Sequence, residues 1–221
     1  MYIPGIIPET DIEATYGKYR EKTTLSSPDL GTNPVLLIVD MTDGFVLDSY
    51  RTGFSRTGIP CAESIHVLLN LFREKGLKVV FTRDMTGDDL QYRLYRGAWN
   101  NKSNPTPEAD RPGHNHIYSA LTPVKGEIVL EKSKPSAFFG TSLVSILNYV
   151  KATSVIVTGM VTSGCIRATV VDAFSYNYRV FIPVECVADR SQISHEVTLF
   201  DLDLKYAYVL PEKQIVSSLQ I

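Results

Sequence analysis

The chain has 221 residues, of which 44% are hydrophobic and 21% charged, and a formal net charge of −2, values typical of one soluble globular domain. This charge gives no electrostatic basis for binding nucleic acid or an anionic membrane, and no apolar stretch approaches the roughly 18 residues of a membrane-spanning helix. Three cysteines without C-x-x-C spacing exclude a disulfide framework, and the first residues lack the pattern of a secretory signal, so a cytoplasmic location is expected.

Residues 1–33 are interrupted by proline and glycine and are predicted to form an N-terminal arm, whereas residues 34–221 are predicted to form one domain. In that domain, short β-branched runs alternate with helical patterns. Strands buried on both faces are predicted at 35–39, 78–82, 127–131, 154–158, 179–184 and 207–210, and helices at 61–75, 141–151 and 165–176. This alternation predicts a single α/β domain with a mainly parallel sheet of about six strands and helices on both faces.

The polar stretch 84–123 falls outside this alternation and is broken by prolines. A loop of this length in a compact domain is predicted to be either a lid or a subunit contact. Trp99, with Tyr92 and Tyr95 nearby, either closes a pocket from this loop or packs in an interface.

Three reactive side chains follow predicted strands at the point where each strand ends. Asp40 follows strand 35–39, Lys132 follows strand 127–131, and the loop after strand 154–158 leads to Cys165. Ligands of open parallel sheets bind beyond the carboxyl ends of the strands, so these groups are expected to converge. Taken singly, Asp40 is equally consistent with capping a turn and Lys132 with a solvated strand end, and Lys134 competes with Lys132 for the ammonium role.

Cys165 also lies where helix 165–176 is predicted to begin. The free N–H groups and the dipole of a helix N-terminus favour the thiolate, which is the nucleophilic form of cysteine. Thr162 or Ser163 is expected to cap this helix. Cys61 and Cys186 lack an accompanying base and are predicted to be structural, and His195 is predicted to be an ordinary helix residue.

Three sequence blocks carry a resemblance to a known family: LIVDM at 37–41, LEKSKPSAFFGTSL at 130–143 and TGMVTSGC at 158–165. From about residue 35 onward, the chain resembles the isochorismatase-like cysteine hydrolases. The resemblance implies a Rossmann-like three-layer fold and a catalytic triad of Asp40, Lys132 and Cys165, because Lys132 takes the family position directly after the strand. It also implies an oxyanion hole formed by the backbone N–H groups of Val161 and Cys165, with a cis peptide before Val161.

Segments 164–174, 185–190 and 199–206 resemble the branch that contains N-carbamoylsarcosine amidase and maleamate amidase. This resemblance implies a cofactor-free enzyme that releases ammonia, through a thioester, from a small amide or carbamoyl compound bearing a carboxylate. Arg190 is the candidate anchor for that carboxylate, or else forms a structural salt bridge with Asp189 or Asp201. Thr162 is a second candidate substrate-binding residue. The resemblance also implies a homodimer or homotetramer.

Two other functions are compatible with the sequence. A nicotinamidase-like enzyme would hold a metal, for which Asp110, His114 and His116 are the nearest candidates; their spacing is not that of nicotinamidases, so no metal is expected. A catalytically silent oligomeric α/β module is the alternative from another class. The pair Thr42-Asp43 departs from the residues that many relatives carry beside the triad aspartate.

Overall fold

The computed structural model describes residues 5–20, 29–85 and 112–220. Within these ranges, seven parallel strands form one sheet in the order β3-β2-β1-β4-β5-β7, with the two-residue β6 paired to β4. The strands are Pro34–Val39 (β1), Lys78–Asp84 (β2), Ile128–Lys132 (β3), Ser154–Met160 (β4), Arg179–Pro183 (β5), Val187–Ala188 (β6) and Tyr208–Leu210 (β7). The predicted parallel sheet is confirmed, and the additional strand is β6, which is too short to show a pattern.

Helices lie between the strands and in the arm. They are Glu9–Arg20 (α1), Asp43–Val46 (α2), Ser55–Glu74 (α3), Leu143–Tyr149 (α4), Arg167–Ser175 (α5), Gln192–Lys205 (α6) and Glu212–Gln220 (α7). The helix predicted at 61–75 starts earlier than expected: α3 begins at Ser55 and contains Pro60. Pro60 lies beyond the first turn of this long amphipathic helix, so the helix lacks the backbone hydrogen bond that residue 60 would otherwise donate to the Arg56 carbonyl.

The two faces of the sheet bury separate apolar clusters. Alternate side chains of β1 point to opposite faces: Leu36 and Ile38 contribute to one cluster, and Leu37 and Val39 to the other. The first cluster contains buried residues of α3 and α7, and the second contains buried residues of α4, α5 and α6. The prediction of helices on both faces is therefore confirmed.

Part of the predicted arm is a helix that packs on the domain. The Tyr16 hydroxyl of α1 donates to Asp203 Oδ2 at 2.7 Å, and its ring meets Phe200 edge-on at 5.5 Å. The backbone N–H of Ile6 donates to Glu196 Oε2 at 3.1 Å. All three partners belong to α6, so the arm and this helix are connected.

Close approach of the two central strands brings their carboxyl ends together. Gly159 of β4 is paired with Val39 of β1 and has a φ of +116°. A Cβ at this position would lie 2.0 Å from the Val39 carbonyl oxygen, so the contact requires glycine.

In the described ranges, no helix is long and apolar enough to cross a membrane. Tyr92, Tyr95 and Trp99 lie outside the described residues.

Candidate active site

The structure brings Asp40, Lys132 and Cys165 together at the carboxyl edge of the sheet. Asp40 directly follows β1, Lys132 is the last residue of β3, and Cys165 lies in a π-helical turn, Thr162–Ile166, between β4 and α5. Lys132 Nζ lies 2.6 Å from Asp40 Oδ2 and 3.5 Å from Cys165 Sγ. The three residues are 0%, 1% and 4% exposed, respectively, so the ammonium bridges the carboxylate and the thiol out of contact with bulk water.

Asp40 is held in place by the neighbouring strand β2. Thr82 Oγ1 donates to Asp40 Oδ1 at 2.8 Å, and the Asp40 backbone N–H donates to the Thr82 carbonyl at 3.1 Å. Asp40 has a φ of +52°, a left-handed conformation that aspartate tolerates better than most side chains. The chain thus turns sharply where β1 ends, with one carboxylate oxygen bound to Thr82 and the other facing Lys132.

Lys132 remains an ammonium despite its burial. Burial alone would lower the pKa of Lys132, but the charge of Asp40, followed by those of Cys165 and Asp84, outweighs it and raises the pKa above its usual value. Lys132 Nζ also donates to the Lys134 carbonyl at 3.1 Å. Of the two candidate lysines, Lys132 therefore supplies the ammonium, and Lys134 contributes a backbone oxygen.

The surroundings of the Cys165 thiol act on its pKa in opposite directions. Burial raises the pKa of Cys165; Lys132 opposes this effect, but Asp40 and Asp84 add to it. The expectation that a helix N-terminus favours the thiolate stays a prediction, because Cys165 lies in a π-helical turn that leads directly into α5 while burial of the thiol acts against the thiolate. A protonated thiol needs a base when the sulfur reacts, and the Asp40 carboxylate, joined to the thiol through Lys132 Nζ, is the candidate.

Asp84 is a charged neighbour of the triad that the sequence analysis missed. It is the last residue of β2, is paired in register with Lys132 and is 4% exposed. Its charge acts on both Lys132 and Cys165. The predicted strand ended two residues too early, at 82; with the observed end, the same strand-end rule that selected Asp40 and Lys132 selects Asp84.

The turn that carries Cys165 folds around the carbonyl group of Val161. This carbonyl accepts the backbone N–H groups of Gly164 at 3.0 Å and Ile166 at 3.3 Å. The Met160–Val161 peptide is cis, in agreement with the expectation from the resemblance. Val161 and Cys165, the two predicted oxyanion donors, therefore lie at the start and near the end of one tightly closed turn.

The two residues after Val161 are bound to other parts of the protein. Thr162 is fully buried, and its Oγ1 lies 2.8 Å from His195 Nδ1. The backbone N–H and the hydroxyl of Ser163 both donate to Asp189 Oδ2 at 2.7 Å. Neither side chain caps α5, so that expectation is wrong. The predicted substrate contact of Thr162 stays a prediction.

Arg190 is exposed at the same edge of the sheet, after β6. Both alternative salt-bridge partners are engaged elsewhere: Asp189 with Ser163, and Asp201 with Lys205 at 2.7 Å and Arg167 at 3.8 Å. The predicted structural salt bridge of Arg190 is therefore wrong for both carboxylates. Its guanidinium makes no ion pair with any described residue, and the role of carboxylate anchor stays a prediction.

His114 and His116, the histidines of the candidate metal site, do not form a cluster of metal ligands with other described residues. His114 is buried, and its ring lies 6.1 Å from that of Phe45 and 5.9 Å from that of Tyr50. Asp110 lies outside the described residues. Across residues 5–20, 29–85 and 112–220, no group of three or more histidine, cysteine, aspartate or glutamate side chains is placed to hold a metal ion.

The other two cysteines differ from Cys165 in their neighbours. Cys61 lies within α3 and Cys186 after β5, and both are buried. Burial raises the pKa of each thiol. Neither is within hydrogen-bonding distance of a lysine among the described residues, so Cys165 alone combines a thiol with an ammonium and a carboxylate there.

A buried thiol, ammonium and carboxylate lie together at the carboxyl edge of a parallel sheet in an α/β protein. A model of the isochorismatase domain matches residues 34–214, and the chain belongs to the isochorismatase family. It is 33% identical over 199 residues to maleamate amidohydrolase from Pseudomonas putida, covering 86% of this chain and 88% of the relative. It is 29% identical over 220 residues to N-carbamoylsarcosine amidase from Arthrobacter sp., covering 96% and 80%.

Solved structures agree with this assignment. The structure of N-carbamoylsarcosine amidase from Thermoplasma acidophilum superimposes with a TM-score of 0.67 at 26% identity, over 82% of this chain and 97% of that one. A cysteine hydrolase from Pseudomonas syringae pv. phaseolicola has a TM-score of 0.78 at 18% identity, over 89% and 99%, and shares the fold. The fold predicted from the sequence is confirmed.

Proposed function

We propose that this protein is a cysteine-dependent amidohydrolase that releases ammonia from a small amide or carbamoyl compound bearing a carboxylate. The observation that carries the proposal is the position of Lys132 Nζ, 2.6 Å from the Asp40 carboxylate and 3.5 Å from the Cys165 sulfur. A nucleophilic cysteine requires a base and a nearby positive charge, and these distances supply both within one buried site.

The first step transfers the thiol proton to Asp40 while the sulfur attacks the amide carbonyl carbon. This transfer turns a neutral thiol and a carboxylate into a thiolate and a neutral acid, so the net charge of the site does not change. A buried site tolerates such an exchange better than the creation of a new charge, and Lys132 remains as the counter-ion throughout.

The attack turns the carbonyl oxygen into an oxyanion, which requires hydrogen-bond donors. The backbone N–H groups of Val161 and Cys165 are the proposed donors, because one closed turn holds both residues. Collapse of this intermediate breaks the C–N bond, and ammonia leaves with the proton returned by Asp40. Water, deprotonated by the same carboxylate, then hydrolyses the thioester and regenerates the free thiol.

The substrate class is proposed from Arg190 and from the relatives. Arg190 offers an exposed guanidinium that no described carboxylate neutralises, and a guanidinium binds a carboxylate through two parallel hydrogen bonds. The two curated relatives are named for maleamate and N-carbamoylsarcosine, each of which carries a carboxylate and a terminal amide or carbamoyl group.

Ammonia release from maleamate, N-carbamoylsarcosine and nicotinamide tests the proposal. Release from a carboxylate-bearing compound is expected, with a loss of at least about 10³-fold in Cys165→Ala because no covalent intermediate can form. Cys186→Ala is the matched control: it removes a buried thiol outside the site and should retain activity. Release from nicotinamide alone, or release abolished by a chelator, would favour the nicotinamidase-like alternative. Silence on every amide would favour the silent module.

A further inference from the structure

A second carboxylate, that of Asp189, is joined to the turn that carries Cys165. Asp189 follows β6 and is 7% exposed. Its Oδ2 accepts both the backbone N–H and the hydroxyl of Ser163 at 2.7 Å, and its Oδ1 accepts the backbone N–H groups of Arg190 at 2.7 Å and Ser191 at 3.4 Å. The Asp189 carbonyl accepts the Thr57 hydroxyl at 3.0 Å, which connects this residue to α3.

Burial of this carboxylate requires an explanation, because no ion pair among the described residues includes Asp189. Placing a charged group away from water is unfavourable unless hydrogen bonds replace its hydration. Four donors perform this function here, and charge-assisted hydrogen bonds to a carboxylate are short and strong. Two of the four come from Ser163, so half of the compensation is directed at the turn.

Ser163 lies midway between the two proposed oxyanion donors. It is two residues after Val161 and two residues before Cys165, within a turn of only five residues. Fixing its N–H on Asp189 fixes the orientation of the Thr162–Ser163 peptide plane. The preceding residue, Thr162, is held by its contact with His195 of α6. The turn is thus attached to the rest of the protein at two consecutive residues, Thr162 and Ser163. The geometry of the turn determines where the Val161 and Cys165 N–H groups point.

We propose that Asp189 is a positioning residue of the oxyanion hole. It contacts neither the thiol nor the ammonium of the triad among its hydrogen bonds, and it acts through Ser163 on the turn. Stabilisation of an oxyanion depends on donors held within a few tenths of an ångström, because the donors must be oriented before charge develops. This role rests on the proposed amide hydrolysis, since only attack on a carbonyl creates an oxyanion.

Asp189→Asn separates this role from proton transfer and from general stability. The amide keeps the size of the side chain, but it offers one acceptor oxygen in place of two, so an NH₂ group must face either Ser163 or the N–H of Arg190. We expect kcat for amide hydrolysis to fall by about 10²-fold, with KM changed by less than about 3-fold. Alkylation of Cys165 by iodoacetamide should change by less than about 3-fold, because displacement of iodide creates no oxyanion and needs only the triad.

Matched variants make the result decisive. Asp201→Asn makes the same change at a carboxylate of α6 that pairs with Lys205, and it should leave both rates unchanged. Ser163→Ala removes one of the two bonds to Asp189 and keeps the backbone bond, so kcat should fall by about 5-fold, as for one hydrogen bond of about 1 kcal/mol. This variant decides the question if Asp189→Asn does not fold.

Several outcomes would overturn the proposal. A parallel loss of hydrolysis and alkylation in Asp189→Asn would show that the carboxylate supports the whole site. Unchanged hydrolysis in Asp189→Asn, or in Ser163→Ala where the first variant is unfolded, would show that the turn does not depend on it. A failure of the proposed function is distinguishable: the unsubstituted protein would then hydrolyse no amide, and this role would fall with that activity.

Discussion

Asp40 and Asp189 are two buried carboxylates at the same edge of one sheet, and they differ in whether an ion pair holds them. Asp40 faces the Lys132 ammonium at 2.6 Å, and the same ammonium lies 3.5 Å from the Cys165 thiol, so two ionisable groups are linked to this carboxylate. Asp189 faces backbone N–H groups and a hydroxyl, none of which titrates in the ordinary pH range. The comparison teaches that the partners of a buried acid decide its use. An acid beside an ionisable group can exchange protons, whereas an acid beside fixed hydrogen-bond donors holds the local structure in place.

The largest expected effect is that of Asp40→Asn, which removes the base and keeps the size of the side chain. Hydrolysis should fall by about 10³- to 10⁴-fold, as for the loss of a general base. The iodoacetamide alkylation rate of Cys165 should not fall, because the charge of Asp40 raises the pKa of the thiol and its removal leaves the charge of Lys132 to favour the thiolate. Both rates are measured on the same preparation. A parallel fall of the alkylation rate would contradict the comparison, because Asp40 would then resemble Asp189 in acting on geometry alone.

The next effect is the pH dependence of thiol alkylation. Burial raises the pKa of Cys165 above the ordinary value of a thiol, so the thiolate fraction should continue to grow with pH through and beyond pH 9. The alkylation rate should therefore rise by about tenfold per pH unit between pH 7 and 9. Mass spectrometry of the labelled peptide measures the rate for Cys165 separately. A plateau already at pH 7 would show that Lys132 has overcome the burial and that the resting form is a thiolate.

The smallest expected effect concerns His195, a buried histidine on which the charge of Asp189 acts. Burial lowers the pKa of His195, against the charges of Asp189 and Glu196, so the unfolded chain takes up a proton at a higher pH than the folded one. The free energy of unfolding should therefore decrease as the pH falls below about 6.5, and this decrease should end below the folded-state pKa of His195. In His195→Gln, urea unfolding at pH 7.5 and pH 5 should differ by less than in the unsubstituted protein. An unchanged difference would assign the acid sensitivity to other groups.

Local sequence patterns predicted the fold and the convergence of Asp40, Lys132 and Cys165, whereas their assignment to a triad came from the family resemblance. Asp40 directly follows the fully buried strand β1, and Lys132 ends β3, an edge strand that is only partly buried although its sequence predicted burial on both faces. Asp84 was missed only because its strand was predicted two residues too short. The same kind of pattern placed Cys165 after β4, although it could not show that burial would raise the pKa of the thiol.

The contacts around the nucleophile turn could not be predicted in this way. Ser163 and Asp189 are 26 positions apart, and Thr162 and His195 are 33 apart, so no local periodicity connects them. A serine and a threonine near a helix start resemble capping residues, which is why both were assigned that role. The helix of the arm was also missed, since its packing is supplied by α6 rather than by its own pattern.

Gly159 has a consequence for how new substrate preferences could arise in this protein. Any side chain there would collide with the Val39 carbonyl and separate the strands that carry Asp40 and the nucleophile turn. Position 159 therefore tolerates only glycine, and substitutions there cannot produce a new substrate preference. Divergence is left to other positions, such as the exposed Arg190 and the buried Thr42, whose hydroxyl has no hydrogen-bond partner among residues 5–20, 29–85 and 112–220. A library built to change substrate preference should hold position 159 constant and vary 42 and 190.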